Sequence, residues 1–99
     1  MCLRNSFLLI SYYNFVNDII TVNQAVQMRI NELLIKNDIT QYRLEQDSGL
    51  SHGVIGCIMR NRNKNVTLKT IMMLAKGFKM SLIDFLNSPY FIDERIELE

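Results

Sequence analysis

Very little in this chain breaks a helix. One proline and four glycines are spread over 99 residues, and that scarcity favours a mostly helical protein. Cysteine is scarce too. Cys2 and Cys57 have no metal-ligand spacing, and the single histidine, His52, cannot complete a zinc site with them. The simplest compartment for such a chain is the reducing cytoplasm. No apolar run is long enough to cross a bilayer: Phe7-Leu-Leu-Ile10 stops at Ser11. With one arginine before it and no small-residue cleavage site after it, that run is also a poor signal peptide. There is no Gly-rich phosphate loop and no pair of carboxylates flanked by apolar sequence. Enzymatic activity therefore has little support, and no cofactor or metal is expected.

What is present is a globular composition. Hydrophobic residues make up 48% and charged residues 21%, enough for a packed core. The length suggests one domain, which at this size buries about 60–65% of the unfolded chain's surface. The net charge of +1 does not announce a nucleic-acid binder, but its distribution says more. From Ser48 to Ile83 there is no acid, while Arg60, Arg62, Lys64, Lys69, Lys76 and Lys79 all fall there. From Asp84 onward, Asp84, Asp93, Glu94, Glu97 and Glu99 face only Arg95. A basic middle suits a phosphate backbone; the plainer reading is lysines that solvate helices.

Helix boundaries can be placed from caps and spacing. Thr21-Val-Asn-Gln24 has the form of a capping box. Val26, Ile30, Leu33 and Leu34 follow at helical spacing, with Gln27, Arg29, Asn31, Glu32 and Lys36 on the other face. This helix should end near Asn37-Asp38. Thr40 caps a second helix over about Gln41 to Asp47, anchored by Leu44 and ended by Gly49, which can adopt the left-handed conformation. Leu50 fills the corner. Ser51 caps a third helix, about His52 to Arg60, with Ile55 and Ile58 inward. After the polar turn Asn61-Arg-Asn-Lys-Asn65, Thr67 caps a fourth helix carrying Leu68, Ile71, Met72, Leu74 and Ala75, ended by Gly77. Ser81 with Asp84 caps a short fifth helix holding Leu82, Phe85 and Leu86, closed by Pro89. Met59, Met72, Met73 and Met80 read as core or interface filler. No strand alternation with hairpin turns is visible.

The second and third helices, with the Gly-containing turn between them, are the parts of a helix-turn-helix. The five helices in this order resemble the phage-repressor and Cro-like (XRE-type) family over about Val22 to Leu86. Leu44, Gly49, Leu50, Ile55, Ile58, Thr67, Ile71, Ala75, Gly77, Ser81 and Phe85-Leu86 carry the resemblance. It implies an all-α, compact five-helix DNA-binding domain that acts as a transcriptional regulator, typically a dimer on double-stranded DNA. Two residues depart from the pattern. Glu45 stands where the family usually has alanine; its carboxylate must lean outward or find room beside Gly53 and Gly56. Asn61 stands where glycine is common, and asparagine tolerates the left-handed conformation.

With Ile55 and Ile58 inward, the opposite face of the third helix shows His52, Gly53, Gly56, Cys57 and Arg60. Ser51 and His52, at its start, are the best candidates to read base edges, and Gly53, Gly56, Cys57 and Arg60 complete the face. Arg60 is the one most suited to a phosphate. The two glycines weaken the helix by about 0.8–1 kcal/mol each. Close approach of the backbone to DNA, room for Glu45, or drift would each account for them. His52 can also be read as an ordinary solvated residue. The amides at Gln41 and Tyr42, at the positive end of the second helix, suit a phosphate oxygen. Asn61, Arg62, Asn63 and Lys64 can hold the backbone on the other side, or serve as a polar connector.

The expected function is sequence-specific binding of duplex DNA by a homodimeric regulator, a repressor, with no membrane partner. The rival is a protein-interaction module, such as an antitoxin masking a toxin partner. The expected organisation is an apolar extension over 1–20, the DNA-binding domain over 21–88 and an acidic tail over 89–99. The segment Phe7 to Ile20 is too apolar for a solvated arm. Read as a helix, it needs cover for Leu8, Tyr12, Phe15, Val16 and Ile19. A strand has no evident partner. That apolar face can pair with its copy in a dimer, the favoured reading, or dock near Tyr90-Phe-Ile92, or be an upstream stretch with no role.

Overall fold

A computed structural model describes residues 20–92 and 96–97. The expectations for residues 1–19 lie outside the described residues. Six helices are present among those described: α1 (Val22–Asn37), α2 (Gln41–Ser48), α3 (His52–Met59), α4 (Leu68–Gly77), α5 (Leu82–Leu86) and α6 (Pro89–Ile92). Two strands of two residues each, β1 (Ile20–Thr21) and β2 (Ile96–Glu97), pair in parallel with Ile20 opposite Ile96. The all-α expectation holds, and α6 and the strand pair are additions to it.

Each expected N-cap is in place. The hydroxyls of Thr21, Thr40, Ser51, Thr67 and Ser81 accept from the amides of Gln24, Arg43, Val54, Thr70 and Asp84. At α1 the box is closed by Gln24 Oε1, which accepts from the Thr21 amide at 2.9 Å. Asp38 ends α1 in the left-handed conformation (φ 53°). The apolar stripes of α1 to α5 then meet. Val26, Ile30, Leu33, Leu44, Ile55, Ile58, Ile71, Leu74, Ala75, Phe78 and Phe85 form one buried cluster.

Several expectations need correction. Ile20 belongs to a strand, not a helix; its partner is a two-residue segment far along the chain, too short to show as a pattern. Pro89 opens a helix instead of closing one. Its missing N–H costs nothing at a first helical position, and the Ser88 hydroxyl accepts from the Tyr90 amide at 3.4 Å. Tyr90 is buried with Ile20 and Ala25. Leu68 and Met72 face outward on α4. Arg29, expected on the solvated face, is buried. Its Nε and Nη2 donate to the carbonyls of Phe85 and Asp84, both at 2.8 Å, and its Nη1 to Glu32 at 2.7 Å. It thus satisfies carbonyls at the C-terminal end of α5 and fixes α5 against α1. Finally, α4 ends at Gly77, but the left-handed residue there is Lys79 (φ 60°). Gly77 serves contact instead: a Cβ there would lie 2.8 Å from Ser48 Cβ and 2.9 Å from Leu44 Cδ1. Its bare Cα lets α4 seat against α2.

Candidate nucleic-acid interface

The local sequence shapes the α2–turn–α3 unit. Gly49 takes φ 78° and returns its amide to the Glu45 carbonyl, ending α2. The Ser48 hydroxyl accepts from the Leu50 amide at 3.2 Å, which turns the chain into the corner. Leu50 packs half-buried against the core, and α3 starts at once from Ser51. Ile55 and Ile58 are buried. They fix the rotation of α3, so its opposite face is turned away from the core.

That face holds the expected residues unequally. Ser51, His52, Gly53 and Arg60 are exposed, Cys57 is half-buried and Gly56 is buried. The Arg60 side chain folds back over Gly56: a Cβ at Gly56 would be 3.0 Å from Arg60 Nη2. Gly53 is open, with only Ser51 Oγ, at 3.9 Å, near its missing Cβ. The Ser51 oxygen accepts from Val54 N, so its hydroxyl hydrogen and one lone pair remain for another partner. Neither glycine makes room for Glu45. Its carboxylate reaches across the turn instead, and Glu45 Oε2 lies 2.8 Å from His52 Nδ1.

On either side lie the expected phosphate residues. Tyr42 is exposed and Gln41 half-buried at the start of α2. Thr40 serves the amides of Arg43 and Leu44. No bond among the described residues engages those of Gln41 and Tyr42, which lie at the positive end of the helix. Asn61, Arg62, Asn63 and Lys64 are all exposed past the end of α3. Asn61 does adopt the left-handed conformation (φ 56°).

Sequence reasoning missed what holds this loop and the end of α3. Asn23, fully buried on α1, donates from Nδ2 to the Ile58 carbonyl at 3.0 Å and to Asn61 Oδ1 at 2.9 Å. Its backbone amide donates to the Lys64 carbonyl at 3.0 Å. One turn along, Gln27 Nε2 donates to the Met59 carbonyl at 3.0 Å. The Ile58 and Met59 carbonyls belong to the last turn of α3, beyond the reach of the helix's own amides, while that of Lys64 lies in the loop. Two amide side chains therefore latch α3 and the basic loop to α1. A signal was present: Asn23 falls in register with Val26, Ile30 and Leu33, a polar residue on the apolar stripe.

A short first helix ended by a left-handed glycine, a tight turn and an outward second helix backed by a core define a helix-turn-helix DNA-binding domain. The model of the Cro/C1-type HTH DNA-binding domain family matches residues 29–89, more than half of the chain, and the chain belongs to that family. Domains of this class are typically non-enzymatic. No curated protein and no solved structure matches the chain. No helix among the described residues is long and apolar enough to cross a membrane.

Proposed function

We propose that this protein is a sequence-specific regulator of transcription, a repressor acting as a homodimer in the cytoplasm, that inserts α3 into the major groove of duplex DNA. The observation that carries the reading is the outward face of α3. It is exposed at Ser51, His52, Gly53 and Arg60, has no acid on its own helix, and runs into the exposed Arg62 and Lys64. Ser51, His52, Gly53, Gly56, Cys57 and Arg60 form the surface turned to base edges. The N-terminal residues of such a helix sit deepest in the groove. Gln41 and Tyr42 on one side, and Asn61, Arg62, Asn63 and Lys64 on the other, hold the two backbones.

Support for a second copy comes from apolar surface. Ile83 is 79% exposed, and Leu68 and Met72 are more than half exposed. The apolar segment from Phe7 adds to it. A chain beginning at Ile19 keeps Ile20 in its contact with Ala25 and Tyr90 and removes the rest of that segment. If the segment forms the interface, this chain folds but sediments as a monomer. Unchanged self-association assigns the interface elsewhere.

The DNA reading is tested by selection of bound fragments from a random duplex pool, followed by a salt titration. Binding should enrich a consensus, and its affinity should fall steeply with salt as counterions are released. Failure to retain any duplex at low salt would refute the proposal.

A further inference from the structure

His52 is the single histidine of the chain and the first residue of α3. Its Nδ1 lies 2.8 Å from Glu45 Oε2. A carboxylate oxygen only accepts, so the proton of this bond sits on Nδ1. The two partners differ sharply in exposure: the Glu45 side chain is 10% exposed and the imidazole 78%. The carboxylate is thus held at the α2–α3 junction, while the far edge of the ring is open to a ligand. In a neutral ring with its proton on Nδ1, Nε2 has a lone pair and is an acceptor. An acid this close to the face of α3 opposes phosphate binding, so affinity does not explain it. What it supplies is the position of the ring's proton.

We propose that Glu45 is a positioning residue that sets base preference through His52. By holding the Nδ1–H tautomer, it presents Nε2 as an acceptor at the start of α3. In the major groove an acceptor pairs with the exocyclic amino group of adenine or cytosine, and it faces only acceptors on guanine and only an acceptor and a methyl group on thymine. At the base opposite His52 the protein therefore prefers adenine or cytosine. This rests on the proposed insertion of α3 in the major groove, but its first test needs no DNA.

The first test is the imidazole nitrogen spectrum of the full ¹⁵N-labelled chain in mildly alkaline buffer, where one histidine gives one pair of signals. Wild type should show a protonated Nδ1 and an unprotonated Nε2. Glu45→Gln, whose amide can donate or accept, should move the ring toward the Nε2–H form. A wild-type ring protonated on Nε2 overturns the inference. The second test selects from a random duplex pool with wild type, Glu45→Gln and His52→Ala. At one position the preference for adenine or cytosine should fall about fivefold in both variants, the worth of one neutral hydrogen bond. The other positions should keep their bases. One consensus for all three proteins overturns the inference and leaves the DNA reading standing. No duplex retained by wild type overturns both. Replacing the selected base with an analogue lacking the exocyclic amino group keeps the question answerable if a variant fails to fold. It should weaken wild type about fivefold, and an unchanged affinity overturns the inference.

Discussion

Two helical glycines should respond to alanine with opposite signs. Gly53 lies in the first turn of α3 with a clear space for a methyl group, its nearest neighbour being Ser51 Oγ at 3.9 Å, an ordinary contact. Gly53→Ala therefore gains helix propensity, about 0.8–1 kcal/mol, with nothing to set against it. For a domain near this size that raises Tm by about 4–8 °C. Gly77 has the same propensity gain available but no space. Its Cβ would meet Ser48 Cβ at 2.8 Å, Leu44 Cδ1 at 2.9 Å and the Ser48 Cα at 3.1 Å. Because one of these atoms is backbone, α2 and α4 must separate. Overpacking of this kind costs about 1–3 kcal/mol, leaving a net loss of up to about 2 kcal/mol after the propensity gain. Thermal and urea unfolding of the three proteins measures both. The DNA arm separates stability from function: if the α3 backbone approaches the groove, Gly53→Ala binds duplex more weakly although it is more stable. A Gly53→Ala protein that melts below wild type, or a Gly77→Ala protein that melts above it, refutes the packing argument.

Asn23→Ala removes two side-chain bonds, to the Ile58 carbonyl, which keeps its bond from the Asn61 amide, and to Asn61 Oδ1, so it should cost about 1–3 kcal/mol. It should also weaken duplex binding at temperatures where the variant is fully folded; unchanged affinity there would show that the latch does not position α3. Arg62→Ala and Lys64→Ala should each weaken binding to all sequences alike and reduce the log–log salt slope by about 0.9. A changed consensus in either variant would assign it to base readout instead. Burial pushes the Tyr90 phenol above its ordinary 10.0, with Glu32 adding to the effect and Arg29 opposing it. The folded state thus holds this proton more tightly than the unfolded chain. The linked stability is present below the unfolded value and is lost as pH rises from there through the folded one. Urea midpoints from about pH 9 to 11 should fall less steeply for Tyr90→Phe than for wild type. Equal slopes would remove Tyr90 from the alkaline response.

Local chemistry was legible and long-range pairing was not. A cap joins a hydroxyl to an amide three residues on, so Thr21, Thr40, Ser51, Thr67 and Ser81 could be read directly, and the helix starts with them. Leu44, Ile55 and Ile58 followed from helical period and are buried. Arg29 shows where that reasoning stops. Its spacing put it on a solvated face, but its partners are carbonyls 55 and 56 residues away, which no local pattern encodes. Glu45 was legible as a problem and not as its solution, since the answer, His52, lies across a turn whose path is known only when the two helices are packed. Gly77 was read as a stop from its place after α4. Its use is a close approach to Ser48 on another helix, again a tertiary fact. The chemistry of the candidate interface was visible as residue types; the latch from Asn23 and Gln27 that aims it was not.

The central claim is that the face of α3 meets duplex DNA. Amide chemical-shift mapping of the ¹⁵N-labelled chain, titrated with a duplex selected from a random pool, tests it most directly. The largest changes should fall at Ser51 to Arg60, flanked by changes at Gln41, Tyr42 and the Asn61 to Lys64 loop, with little response from α5. Changes centred on α5 and α6, with α3 silent, would contradict it.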